Sequence, residues 1–194
     1  ITEATIPGAF TKKGVIEDYT GTWCGWCPRV SYGIELVENA SDKVFAVAAH
    51  SGDNMQNTFT AQLGAQFNPG GSYPTAILNR DVDWTYPEPN NVSQATAYAQ
   101  GTTTTGLSVN SILRGNNIQI HVGTGFTSNM SGSKLVVMLL EDGILEDQEN
   151  YTSYYGGVSV IQNFEHNHVL RHSFTNVLGD VIPSGEQVFL HKNA

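Results

Sequence analysis

Trp23-Cys24-Gly25-Trp26-Cys27-Pro28 is the stretch from which the rest of the chain is read. It holds both cysteines of the 194 residues and lies between a strand-like run and a helix-like one. A cysteine at a helix start meets unpaired backbone N–H groups and the positive end of the helix dipole, and both stabilise a thiolate. Cys24 is therefore expected to be exposed and to ionise more readily than a free thiol. Cys27, one helical turn inward, is expected to be buried and able to close a disulfide with it. One sulfur then attacks and the other resolves the mixed disulfide. A zinc half-site would need two more ligands at sensible spacing, and covalent haem would need histidine where Pro28 stands. A purely structural disulfide closing so small a ring constrains little of the unfolded chain.

Lys and Arg number 9 against 18 Asp and Glu, a net charge of −9, so no basic patch for nucleic acid or anionic membrane is visible. Mean hydropathy is −0.21, and no apolar run is longer than Leu135 to Leu140, far too short to span a bilayer. The sequence opens on Ile1 rather than Met, with no basic start before an apolar stretch, so a processed or trimmed chain is expected. Asn-x-Ser/Thr occurs at Asn39, Asn91, Asn129 and Asn150, as chance gives in a chain this rich in Asn and Thr.

From the cysteines outward, Val15 to Tyr19 reads as a strand and Val30, Ile34 and Val37 recur at helical spacing. Pro28 suits the first helical turn. Val44 to Ala49 reads as a strand buried on both faces. Thr58 is the expected cap of a helix carrying Phe59, Leu63 and Phe67. Tyr73-Pro74-Thr75 opens another strand, Asn79 to Trp84 forms a short return, and Val92, Ala95 and Ala99 mark a last helix.

This order, with Thr22-Trp23-Cys24-Gly25-Trp26-Cys27, resembles the thioredoxin W-C-G-x-C motif, with Trp26 in place of proline. Tyr73-Pro74-Thr75 is similar to that fold's x-Pro-Thr loop, and Asp18 stands six residues before Cys24, where thioredoxin has a buried carboxylate. The resemblance implies a thioredoxin-like α/β domain over residues 1–104. Cys24 would be the nucleophile, Cys27 the resolving thiol, and Pro74 a cis proline presenting backbone groups to substrate. Asp18 would be the proton acceptor, its pKa raised by burial. Trp23, Trp26, Tyr73 and Thr75 would line the substrate site.

From residue 105 the texture becomes all-β. Leu107 to Leu113 and Ile118 to Val122 alternate about Gly115-Asn116-Asn117, a hairpin signature. Further strands are expected at Lys134 to Glu141, Val158 to Ile161 and His166 to Arg171, and one beginning at Gln187 to Leu190. An acidic loop is expected from Ile144 to Asn150. Residues 105–194 are thus expected to form an immunoglobulin-like sandwich, truncated at its C-terminal end. His166, His168 and His172 would share one strand face, with Leu170 among them, and are weak metal candidates.

Thr20 to Arg29, Tyr73-Pro74 and His166-Asn167-His168-Val169-Leu170-Arg171, in that order, resemble a narrower group: the outer-membrane protein family of twenty-eight kilodaltons, exported and often lipid-anchored proteins of Bacteroidetes. The resemblance implies a periplasmic or outer-membrane location, with any lipid-anchor cysteine upstream. The leading expectation is an envelope thiol–disulfide oxidoreductase acting on protein thiols and disulfides, with no cofactor beyond the Cys24–Cys27 pair. The alternative is a surface or adhesive binding protein whose disulfide is static.

Overall fold

The sheet that carries the cysteine loop is built around two parallel strands. In the computed structural model, which describes residues 5–128, 131–182 and 189–193, β1 (Gly14–Thr20) and β2 (Val44–His50) pair in register from Gly14↔Val44 to Thr20↔His50. The crossover is α1 (Pro28–Ala40), which buries Val30, Gly33, Ile34 and Val37 against the sheet. Pro28 begins this helix, where its missing N–H costs nothing, and Cys27 is the N-cap. The helix was expected to begin at the cysteines themselves. It starts one residue later, and Cys24 lies in the preceding turn, its carbonyl accepting from the Cys27 N–H at 3.1 Å.

α2 (Thr58–Phe67) is capped by Asn57 rather than Thr58: the Asn57 side chain accepts from the N–H groups of Phe59 and Thr60, and Thr60 returns a bond to the Asn57 N–H. β3 (Thr75–Leu78) runs antiparallel to β1, and β4 (Val82–Asp83) returns on β3. α3 (Val92–Ala97) follows. Ile16, Val30, Ile34, Leu78 and Trp84 form the centre of the apolar core. Gly33 lets α1 approach closely, since a Cβ there would stand 3.0 Å from the Trp84 ring.

β5 (Thr105–Arg114) and β6 (Asn117–Phe126) form the expected hairpin. Lys134 to Glu141, read as one strand, is two: β7 (Lys134–Leu135) and β8 (Met138–Glu141). Ile144 to Asn150, expected as a loop, is mostly β9 (Ile144–Glu149), paired with β10 (Val160–His166). β11 (Val169–Ser173), β12 (Asp180–Val181) and β13 (Phe189–Asn193) complete the described strands. Gln187 and Val188, where the last strand was expected to begin, lie outside the described residues.

The strand order of the main sheet is β4-β3-β1-β2-β11-β8. This corrects the single boundary expected near residue 104. The chain divides into two compact units: one takes Lys13–Gln100 and Met138–Ser173, the other the described residues up to Lys12, Gly101–Val137 and those from Phe174 onward. The physical reason is pairing. β11 hydrogen-bonds alongside β2, with Ala48 N–H donating to the His168 carbonyl at 2.8 Å, and β8 pairs with β11. β8 and β11, assigned to a sandwich, thus belong to the mixed sheet, and β9 and β10 pair with each other in the same unit. The other unit has a three-stranded sheet, β13-β6-β5, and a two-stranded one, β12-β7, with Ile120, Val122, Leu135, Phe174 and Ile182 as its core.

Candidate functional site

Cys24 and Cys27 are joined in a disulfide at the entrance to α1, with Cα atoms 5.4 Å apart. Trp23 and Trp26 flank them, about half exposed. Trp23 donates its indole N–H to the Ser51 carbonyl at 2.7 Å and meets the Tyr73 ring edge-on at 5.3 Å, which brings the Tyr73-Pro74 loop to the cysteine stretch. The Tyr73–Pro74 bond is cis, as the motif implied, and so is Tyr86–Pro87. Thr75 begins β3, its hydroxyl donating to the Ser72 carbonyl.

Cys27 is buried as expected, but Cys24 is not exposed: it is 4% accessible. The segment from Gln148 to Tyr151 is bonded to the backbone on both sides of it. The Gln148 side-chain amide lies 3.0 Å from the Cys24 carbonyl, 3.1 Å from that of Thr22 and 3.3 Å from that of Gly21. Glu149 N–H donates to the Thr22 carbonyl, and Tyr151 N–H to that of Gly25 at 2.6 Å. Gly25 leaves room for the Tyr151 ring, since a Cβ there would come within 2.5 Å of it. Tyr151 in turn meets Trp26 edge-on at 5.9 Å. Tyr154 stacks on Tyr32 and the Tyr155 hydroxyl donates to Glu35, fastening the loop to α1.

Sequence reasoning missed this segment because its charges read as a solvated loop. One local signal was present. Asn150-Tyr151-Thr152 is an Asx turn, with Asn150 Oδ1 accepting from the Thr152 N–H and hydroxyl. Asn150 is itself buried, its amide donating to the carbonyls of Tyr154 and Val158, so it is no glycan acceptor.

Beneath the helix, Asp18 is 2% accessible. Burial, then the charge of Glu88, raises its pKa to about 8 against the opposing pull of Arg29. Arg29 and Glu88 are themselves paired, with Nε–Oε2 at 2.5 Å. Asp53 was also missed. Burial pushes its carboxyl up, but hydrogen bonds from His50 and from the N–H groups of Thr22 and Met55 outweigh it, and its pKa is lowered. It thereby ties His50, at 2.7 Å, to the residue that opens the cysteine loop.

The three histidines do not share a face. β10 ends at His166, His168 has a φ of 59°, and β11 shifts register between Leu170 and His172. His168 pairs with Glu38 at 3.0 Å, and His172 lies edge-on to Phe59. Among the described residues no group of three or more His, Cys, Asp or Glu side chains is placed to hold a metal ion.

The family model for outer membrane protein Omp28 matches residues 40–193, and the chain belongs to that family. The match begins beyond the cysteine pair. The family's description places the protein in the cell envelope, and among the described residues no helix is long and apolar enough to cross a membrane. Among solved structures, HBP35 of Porphyromonas gingivalis is similar over 97% of this chain, with a TM-score of 0.66 and 17% identity, a likeness of fold. The chain spans 65% of that structure's length. No curated protein sequence matches.

Proposed function

We propose that this envelope protein is a thiol–disulfide oxidoreductase working on a thioredoxin-like unit, formed by Lys13–Gln100 and completed by Met138–Ser173. The observation that carries the reading is the juxtaposition of a Cys24–Cys27 disulfide at a helix entrance with the Tyr73-Pro74 loop, held there through Trp23. In the reduced form the Cys24 thiolate attacks a protein disulfide. A Cys24–substrate bond forms, the substrate's own S–S bond breaks, and the released substrate sulfur takes a proton from solvent. Asp18 releases its own proton to solvent, and Cys27 then gives its proton to the Asp18 carboxylate so formed and attacks Cys24. The intramolecular disulfide re-forms and the second substrate sulfur leaves as a thiolate. Trp23, Trp26, Tyr73 and Thr75 line the approach of an extended peptide. Replacing Cys27→Ser is expected to trap partner proteins on Cys24 as mixed disulfides. Trapping no stronger than in a Cys24→Ser/Cys27→Ser control would remove the reading.

A second reading, a surface binding protein with a static disulfide, is favoured by the burial of Cys24 and by the bonds from Gln148, Glu149 and Tyr151 that hold the backbone around it. The reduction potential separates the two. A readily exchanging pair between about −120 and −270 mV supports the catalyst, and a potential below about −300 mV with slow exchange supports the static staple.

A further inference from the structure

Next to α1 lies a polar cavity of about 60 Å³, bounded by β1, β2, α1 and the end of β10. Two of its lining residues each bury a polar atom with no hydrogen-bond partner: Asp18 Oδ1 and His166 Nε2. Asp18 is 2% and His166 5% accessible. Buried polar atoms are almost always satisfied, and leaving two unpaired in one place would cost several kcal/mol in an otherwise well-bonded core. The space explains them. A water needs roughly 10–15 Å³ and two to four polar partners, so the cavity takes more than one.

The chemistry of the two groups is complementary. Burial and the nearby Glu88 keep Asp18 protonated up to about pH 8, so that its carboxyl is a donor at neutral pH. Burial, then His50, holds His166 down to about 4, against the pull of Asp53 and of a hydrogen bond to the Glu146 backbone. That bond uses the other ring nitrogen, so Nε2 keeps its lone pair and is an acceptor at the same pH. Other titratable groups around the cavity are Glu35 and Glu38 on α1, His50 on β2, and Glu165 and His168 beside His166; Glu88 and Arg29, which are not among the lining residues, also act on Asp18.

We propose that this cavity is the proton port of the disulfide site, holding water that links Asp18 Oδ1 to His166 Nε2, with His166 a positioning residue that acts through Asp18. Its place in disulfide exchange rests on the oxidoreductase reading above. The linkage itself does not. Asp18, protonated at neutral pH, first gives its proton to solvent along these waters; as the carboxylate it takes the Cys27 proton, and the restored carboxyl again donates to the water chain that reaches His166. When the proton leaves to solvent along the same waters, Asp18 returns to its carboxylate. No electrons move in this step; the sulfur chemistry is that of Cys24 and Cys27.

The test is an NMR titration of the oxidised full chain, following the His166 ring nitrogens and the Asp18 carboxyl carbon between pH 3 and 10. The expected result is a His166 Nε2 shift that inflects near pH 8 at the same midpoint as the Asp18 carboxyl, well above the ring's own protonation near 4. The inflection should vanish in Asp18→Asn. A ring that is flat through the Asp18 midpoint, or an inflection that survives Asp18→Asn, would overturn the proposal. The shared midpoint is read in the wild type, so the test stands even if Asp18→Asn fails to fold. In turnover, His166→Phe should slow the resolving step about tenfold in the wild type and not at all in Asp18→Asn, with His166→Gln partly restoring it. Equal slowing in both backgrounds would also overturn the proposal. An inactive disulfide with the NMR linkage intact would remove the oxidoreductase reading, and the port with it, and support only the water linkage between Asp18 and His166.

Discussion

Gln148 offers the sharpest test of how the cysteine loop is held. Its side chain is 3% accessible, and its one amide nitrogen lies within 3.3 Å of four carbonyls, those of Gly21, Thr22, Cys24 and Glu149. An amide has two hydrogens, so at most two bonds are fully made and the other carbonyls share them. Removing the amide leaves those carbonyls facing apolar atoms, at about 1–3 kcal/mol for each bond lost, or about 2–4 kcal/mol once water reaches part of the site. Gln148→Leu keeps nearly the whole volume and removes the donors, whereas Gln148→Ala removes both. If the bonds hold the loop, Gln148→Leu is at least as destabilising as Gln148→Ala in urea unfolding, and in both variants a small thiol reduces the disulfide faster. If Gln148→Leu lies within about 0.5 kcal/mol of wild type, packing holds the segment and the bonding argument is wrong.

Other outcomes follow from the same structure. Glu17 is buried, with its carboxylate on Arg80 at 2.6 Å and on the Tyr19 hydroxyl; Arg80→Ala should cost about 3 kcal/mol in denaturant unfolding, because it leaves a buried charge unpaired. Asp18 has a folded pKa of about 8, above its unfolded value of 3.8, so its contribution to stability is full below about 3.8 and lost as pH rises to about 8. Asp18→Asn should therefore match wild type near pH 3.5 and exceed it at pH 8 by a few kcal/mol, on the order expected from linkage, as thermal unfolding at the two pH values will read. Gly25→Ala should displace the Tyr151 ring and speed thiol reduction of the disulfide, and adding Tyr151→Ala should recover the lost stability.

Much of the site was legible because its signals are local. The cysteine spacing, Pro28 at the helix start, the apolar run from Val44 and the Tyr73-Pro74-Thr75 loop each declare themselves within a few residues. What was not legible depends on partners far along the chain. Leu135 to Leu140 is uniformly apolar, so nothing in it marks the break between β7 and β8, which serve different units. β11 pairs with β2 across more than a hundred residues, and no periodicity records that choice. Gln148 and Asn150 sit among acidic residues and look solvated, yet both are buried by the carbonyls they satisfy. Aligning His166, His168 and His172 assumed one unbroken strand, and the left-handed backbone at His168 breaks it.

The interleaving of the two units has a consequence for biosynthesis. When a ribosome has released residues up to about 137, β1, α1, β2 and β3 can already assemble, but the far edge of β2 has no neighbour. Its partner β11 emerges only after the β5–β6 hairpin has been made. The bonds to the cysteine loop likewise wait for Gln148 to Tyr151. A chain that folds in the order it is made would thus hold its two thiols without the bonds from Gln148 to Tyr151 until its own later sequence supplies them.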